Sequence, residues 1–365
     1  MTKDNQRIFI VTYDYPPSNG GIARLCFELK RNLEKQNRKV TIITRKNEGR
    51  DADNDLNVIR LSDKRGVLEF KTLLYLRSHV TAHDIIITGN YHPEGMVALL
   101  SGRKTYILAH GAEYLEGNNF FRKQIWPIYR RIILNKAACV IANSHYTEKL
   151  VKLCAPKAKT CAVPLAVDID KFHPTCSKWD DGRLHLCSIS RLEKFKAQDF
   201  VIESIAALPT SYKHSIRLHI GGKGSYKEEL EQMVISLGLN EIVSFEGFIS
   251  DDQLCDFYSQ AHVFILCTRE EPANRNVEGF GLVFTEAQAC ATAVIGTRTG
   301  GIPDAVEENN GGWLIKQDSK EELLSLLVKL VDDRSLAIRE GEKGRKRMEA
   351  EMTWARYTAQ ICNIV

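Results

Sequence analysis

The chain has 365 residues and a mass of 41.3 kDa, which suits about two domains. A net charge of +4, ten cysteines without a C-x-x-C pair, and no apolar run of about 18 residues argue against a nucleic-acid-binding protein, a zinc-ribbon protein and a membrane-spanning one. The polar start MTKDNQR lacks a signal-peptide pattern, so a cytoplasmic protein, soluble or peripheral on the inner face of the membrane, is expected.

In chain order, Ile8, Phe9, Ile10 and Val11 form a first buried strand that Pro16 and Pro17 end, and Ile22, Cys26, Leu29 and Leu33 follow as a helical stripe. Gly20 and Gly21 fall at the helix start, where they serve either as a tight turn or as a close approach for a ligand; no dinucleotide or Walker pattern surrounds them. Asp51 and Asp53 form a D-x-D triplet in a polar loop, and His79 and His83 share a helix face without a third metal ligand. The run YILAHGAEYL places His110 and Gly111 at a strand end, where open α/β folds bind ligands.

In FFRKQIWPIYRRIILNK, Phe120, Phe121, Trp126 and Tyr129 interleave with Arg122, Lys123, Arg130 and Arg131. This is the pattern of an interfacial helix, or of an ordinary helix with a buried aromatic face and a solvated basic one. Residues 1–170 carry 27 lysines and arginines against 17 acids, a net +10, whereas residues 171–365 carry 23 against 29, a net −6. The first half therefore suits an anionic partner such as a membrane surface or a phosphorylated acceptor. The segment VPLAVDIDKFHP, with Pro164 and Pro174, separates the halves and contains the second D-x-D triplet, Asp168 and Asp170. Cys26, Cys187 and Cys267 sit on apolar strand or helix positions and read as reduced core residues.

Beyond the linker, strands are expected at RLHLCSIS, RLHIGG, VSFEGF, HVFILC and AVIGT. Arg191 and Lys196 follow the first of them, as a solvated rim or as a phosphate grip. After HVFILC comes a polar run, REEPANRNV, of a composition that suits a mobile loop closing on ligand. The densest motif follows: Glu278 and Glu286 bracket EGFGLVFTE at a strand-to-helix junction. Gly279 and Gly281 sit just before the helix start, where backbone N–H groups and the positive end of the helix dipole suit a diphosphate, and two carboxylates can accept hydrogen bonds from sugar and ribose hydroxyls.

These glutamates, the glycines and the following TRTGGIPDAVEENNGGWLI resemble the retaining glycosyltransferases of family 4, and the resemblance runs in order over most of the chain. It implies an α/β protein of the GT-B fold, with two Rossmann-like domains facing across a cleft. Residues 1–170, joined by a returning C-terminal helix at 350–365, would hold the acceptor, and residues 171–349 the nucleotide sugar. On the family pattern His110 is the active-site histidine, Arg191 and Lys196 grip the donor diphosphate, Glu278 lies near the donor sugar and Glu286 binds the ribose. Gly20, Gly21, Gly222 of GGKGSY, Gly279, Phe280, Gly281, Leu282 and Val283 line the donor, with Phe248 and Ile249 near the base. Arg122, Lys123, Arg130 and Arg131 mark the membrane or acceptor side.

The implied activity is transfer of a hexose from a UDP- or GDP-sugar to a hydroxyl of a lipid-linked or glycan acceptor in cell-surface glycan or glycolipid synthesis, with retention, without a metal or other cofactor, and with no nucleic-acid partner. A GT-B epimerase, a sugar phosphorylase and a non-catalytic sugar-nucleotide binder stay open. One departure stands out: Ala291 and Ala293 occupy a turn where relatives often have Gly and Pro.

Overall fold

Short aliphatic runs flanked by Gly, Pro and polar residues become parallel strands, as continuous apolar segments buried on both faces should. The computed structural model describes residues 6–18, 20–46, 55–115 and 120–365, with side chains from residue 124 onward in the helix that starts at Phe120. The chain divides into two compact units, Met1–Pro164 with Trp354–Val365, and Leu165–Thr353.

Unit 1 contains β1 (Ile8–Val11), β2 (Val40–Thr44), β3 (Val58–Arg60), β4 (Ile85–Thr88), β5 (Thr105–Ala109), β6 (Cys139–Ala142) and β7 (Thr160–Ala162). They form one parallel sheet in the order β3-β2-β1-β4-β5-β6-β7. All four residues of β1 are buried, each worth roughly 1.5 to 3 kcal/mol of apolar transfer. The helix Gly21–Lys35 lays Leu25, Cys26, Leu29 and Leu33 inward. The helix Trp354–Ile364 packs beside it, and Gln36 Nε2 donates to Thr358 Oγ1 at 2.6 Å.

Unit 2 contains β8 (Leu184–Ile189), β9 (Ile216–Gly221), β10 (Val243–Gly247), β11 (Val263–Leu266), β12 (Ala293–Thr297) and β13 (Gly312–Ile315). Its parallel order is β10-β9-β8-β11-β12-β13. Leu186, Leu218, Ile265 and Ile295 anchor its core beneath the helices Gln198–Ala206, Lys227–Ser236 and Lys320–Asp332. In each sheet the winding reverses beside the first strand, between β1 and β4 and between β8 and β11. Loops leaving the carboxyl ends of two such strands diverge, which opens a crevice for a ligand.

All ten cysteines are free thiols, and Cys26, Cys187 and Cys267 are buried. Ala291 adopts φ +53°, the left-handed conformation in which glycine is more at ease. No helix among the described residues is long and apolar enough to cross a membrane.

Candidate active site

The switch point of unit 2 gathers much of the expected chemistry. The turn Lys194–Lys196 leaves β8, and Lys196 Nζ lies 2.6 Å from Glu278 Oε2, which follows β11. Their side chains are only 12% and 20% exposed, so water screens the pair poorly. Backbone contacts fix both members. Arg269, on the loop leaving β11, donates its backbone N–H to Phe195 O at 2.7 Å and its Nη1 to Lys194 O at 3.0 Å, while Asp199 and Asp318 hold the guanidinium. On the other side Gly301 N donates to Glu278 O at 2.8 Å, and Gly300 N donates to Glu270 Oε2 at 3.2 Å.

The helix Leu282–Ala289 starts at Gly281, whose φ of +95° a side chain would strain and whose Cβ would meet Phe284 at 2.7 Å. Leu282 and Val283 are half-buried, whereas Phe280 is buried, so its ring is core and only its backbone can face a ligand. Glu286 is buried one turn into this helix, and the Tyr258 hydroxyl donates to its Oε2 at 3.2 Å. Burial pushes the Tyr258 phenol well above its usual range. It therefore remains an O–H donor throughout the working pH range and orients the carboxylate.

The glycine loop after β9 folds directly onto the loop after β8. Leu192 N donates to Lys223 O at 2.9 Å, and Gly222 N to Gly247 O at 2.6 Å. Phe248 is 66% exposed with the Lys223 ammonium 5.3 Å from its ring centre, and Ile249 packs over Gly221. An exposed aromatic face beside a cation is suited to stacking a planar base.

Two features depart from the sequence reading. Arg191 does not join Lys196: it is 72% exposed and reaches Glu193 Oε1 at 2.6 Å. The REEPANRNV run is closed on itself, with Glu271 N donating to Asn276 O at 2.8 Å and the Asn276 side chain donating to Glu271 Oε2 at 3.0 Å. Asp168 is taken up in a turn, its Oδ1 accepting from the backbone N–H groups of Asp170 and Lys171. Asp51 and Asp53 lie outside the described residues. Among the described residues, no group of three or more His, Cys, Asp or Glu could hold a metal ion.

Unit 1 has its own polar cluster at the ends of β1, β4 and β5. His110 Nε2 lies 2.7 Å from Gly89 O, and Asn143 donates to His110 O at 3.1 Å. Gly20 precedes the first helix against Asp14, where an added Cβ would lie 2.6 Å from Oδ2; Gly21 is exposed at the helix start. No motif in the sequence marks Glu94. Its Oε1 accepts from Tyr13 N at 3.1 Å, and burial pushes its carboxyl up to about 7.

In the helix Phe120–Lys136, Trp126 and Tyr129 follow the reading of a buried aromatic face, whereas Arg130 departs from the solvated basic one. Trp126 Nε1 donates to the Tyr91 hydroxyl at 2.7 Å, and the Tyr129 hydroxyl meets His92 Nδ1 at 2.7 Å, so both rings face inward. Arg130 is also buried, donating to Tyr114 O at 2.9 Å, and cannot serve a surface. Arg131 is exposed, whereas the side chains of Arg122 and Lys123 lie outside the described residues. The outward stripe is Ile125, Ile128 and Ile132.

Two doubly wound parallel sheets are the architecture of the GT-B class of glycosyltransferases. The chain belongs to that class in both halves: residues 19–171 match the family model Glycosyltransferase Family 4 and residues 171–347 the model Glycosyl transferases group 1. It is 25% identical over 383 residues, covering 98% of each chain, to the GDP-mannose-dependent alpha-(1-6)-phosphatidylinositol monomannoside mannosyltransferase of Mycobacterium tuberculosis. It is also 25% identical over 202 residues to the putative colanic acid biosynthesis glycosyltransferase WcaL of Escherichia coli, covering 55% of this chain and 49% of that one. Among solved structures, sucrose-phosphate synthase from Thermosynechococcus elongatus has the same fold, with a TM-score of 0.79 at 21% identity over 99% of this chain and 98% of that chain. Anabaena HepE in complex with UDP gives a TM-score of 0.72 at 17% identity over 98% and 99%.

Proposed function

We propose that the protein transfers a hexose, with mannose from GDP-mannose the first choice, to a hydroxyl of a lipid-linked or glycan acceptor with retention at the anomeric carbon. The observation that carries this reading is the convergence of Lys196 and Glu278 at the switch point of unit 2, beside a helix start and the buried Glu286. The Mycobacterium relative's GDP-mannose dependence supports the base and sugar.

In this reading Lys196, with Arg191 swinging in from solvent, stabilises the charge that develops on the leaving diphosphate. Backbone N–H groups from Gly279 to Val283 hold the phosphates, Glu286 takes the ribose, and Phe248 with Ile249 borders the base. Glu278 orients sugar hydroxyls, and His110 stands on the acceptor side. The acceptor hydroxyl attacks from the leaving-group face and the departing phosphate takes its proton, so neither a protein nucleophile nor a metal ion is required. Incubation with GDP-mannose, UDP-glucose, UDP-N-acetylglucosamine and ADP-glucose, with a lipid-extract acceptor, should release GDP fastest. Epimerised sugar without nucleotide release would instead favour the epimerase, sugar phosphate the phosphorylase, and binding without turnover a sensor.

Membrane association is the second part of the proposal. The helices Val67–His79, Met96–Leu100 and Phe120–Lys136 adjoin one another in unit 1 and leave Phe70, Leu74, Leu100, Ile125, Ile128 and Ile132 exposed. Arg131 and Lys136 are exposed on the last of these helices. An apolar stripe with flanking cations suits an anionic bilayer surface. Co-sedimentation with anionic liposomes should be strong at low salt and weaken as the Debye length falls below about 10 Å. Ile128→Asp with Ile132→Asp should abolish it while leaving nucleotide binding intact. Wild-type protein that ignores anionic liposomes at low salt would point to a soluble acceptor.

A further inference from the structure

We propose that Glu278 drives release of the nucleoside diphosphate product by competing with its phosphate for the Lys196 ammonium. The inference rests on the donor-site reading above and extends it to the end of the catalytic cycle. Glu278 Oε2 lies 2.6 Å from Lys196 Nζ, and both side chains are largely shielded from water. A diphosphate approaching Lys196 therefore meets a cation already paired, with a carboxylate at its side. A carboxylate and a phosphate drawn to one ammonium repel each other, and the more so where solvent is thin.

The backbones of both residues are pinned, Lys196 by the Arg269 bonds to Lys194 and Phe195 and Glu278 by Gly301 N. Exchange of partners is thus a side-chain event. Four-carbon and two-carbon stems supply the reach, and an ammonium has three donors to divide.

The sequence of charges gives the exchange a direction. A donor brings hexose hydroxyls that donate to Glu278 and compensate the carboxylate while Lys196 serves the phosphate. Transfer removes the hexose. Glu278 then loses those donors, and the terminal phosphate, freed from its sugar ester, gains negative charge near neutral pH. The carboxylate is left beside a more negative phosphate and competes with it for Lys196. Its return to Lys196 weakens the hold on the nucleotide only after the sugar has gone, so the pair links product release to transfer.

Glu278→Gln keeps the shape and removes the charge. Isothermal titration of the full chain with GDP and with UDP should show the variant binding the preferred nucleotide about tenfold more tightly than wild type, while its turnover with the sugar nucleotide falls. Glu278→Ala should shift affinity in the same direction, which guards against an accidental effect of the amide, and circular dichroism melting would verify that both variants are folded. Glu193→Gln, which frees the exposed Arg191 instead, should change the affinity less than about twofold. Wild-type protein that binds nucleotide, with both Glu278 variants at equal or weaker affinity, overturns the release role alone. Wild-type protein that binds neither nucleotide overturns the donor-site reading together with it.

Discussion

Lys196→Ala is expected to lower turnover about 30-fold or more, a loss near 2 kcal/mol of transition-state stabilisation. The ammonium is held at the switch point of unit 2 by a turn that Arg269 fastens from two backbone oxygens, so no other cation in that turn can move into its place without breaking the fastening. Lys194 lies two residues earlier and is exposed toward Glu229. Truncation also strands Glu278, whose carboxylate would then stand near the donor phosphates uncompensated. Steady-state kinetics with the preferred sugar nucleotide measures the effect. Arg191→Ala should also lower turnover, since Arg191 is free to leave Glu193 for the leaving phosphate. Unchanged turnover in both variants would remove the phosphate clamp from the account.

Gly222→Ala should be the most damaging single-methyl change in unit 2. Its φ is +125°, and an added Cβ would lie 1.9 Å from Ser190 O, a backbone atom that cannot swing aside as a side chain can. The loop after β9 would have to lift from the loop after β8, breaking the Leu192–Lys223 and Tyr226–Leu192 hydrogen bonds. We expect a cost of about 3 kcal/mol or more, from overpacking and a strained backbone together. Gly21→Ala is the control: nothing lies within 4 Å of its added Cβ, and the change should stay within about 0.5 kcal/mol. Urea unfolding followed by fluorescence compares the two, and equal midpoints for Gly222→Ala and wild type would contradict the loop packing.

The strands were legible because their apolar runs are buried on both faces and bounded by turn residues; RIFIV, RLHLCSIS, RLHIGG and HVFILC all fall on strands of the two sheets. The glycine-glutamate junction was legible for a local reason too, since helix start, glycines and carboxylates lie within nine residues. The Lys196–Glu278 pair was not. Its members are 82 residues apart, and only the β8 and β11 adjacency at the winding reversal joins them. Tyr258 gave no signal either, because an aromatic residue in an amphipathic helix reads as core whether or not its hydroxyl has work to do.

The orientation of Trp126, Tyr129 and Arg130 shows where periodicity runs out. An aromatic-basic helix has two possible buried faces, and the choice here is made by partners remote in sequence, Tyr91, His92 and Tyr114. Once those three side chains turn inward, Ile125, Ile128 and Ile132 fall on the outward side of the helix. The acidic-asparagine run after β11 is ambiguous for another reason: polar composition suits a mobile loop, but three hydrogen bonds between Glu271 and Asn276 suffice to close it.

The proposed donor site carries its own cations and delivers the acceptor to the leaving-group face. Proton NMR of the product made from an α-linked sugar nucleotide in the presence of EDTA tests both features in one measurement. An α linkage formed at an undiminished rate is the predicted result, because Lys196 and Arg191 supply the charge that a bound Mg²⁺ or Mn²⁺ would otherwise provide. A β linkage, or loss of all product in EDTA, would contradict it.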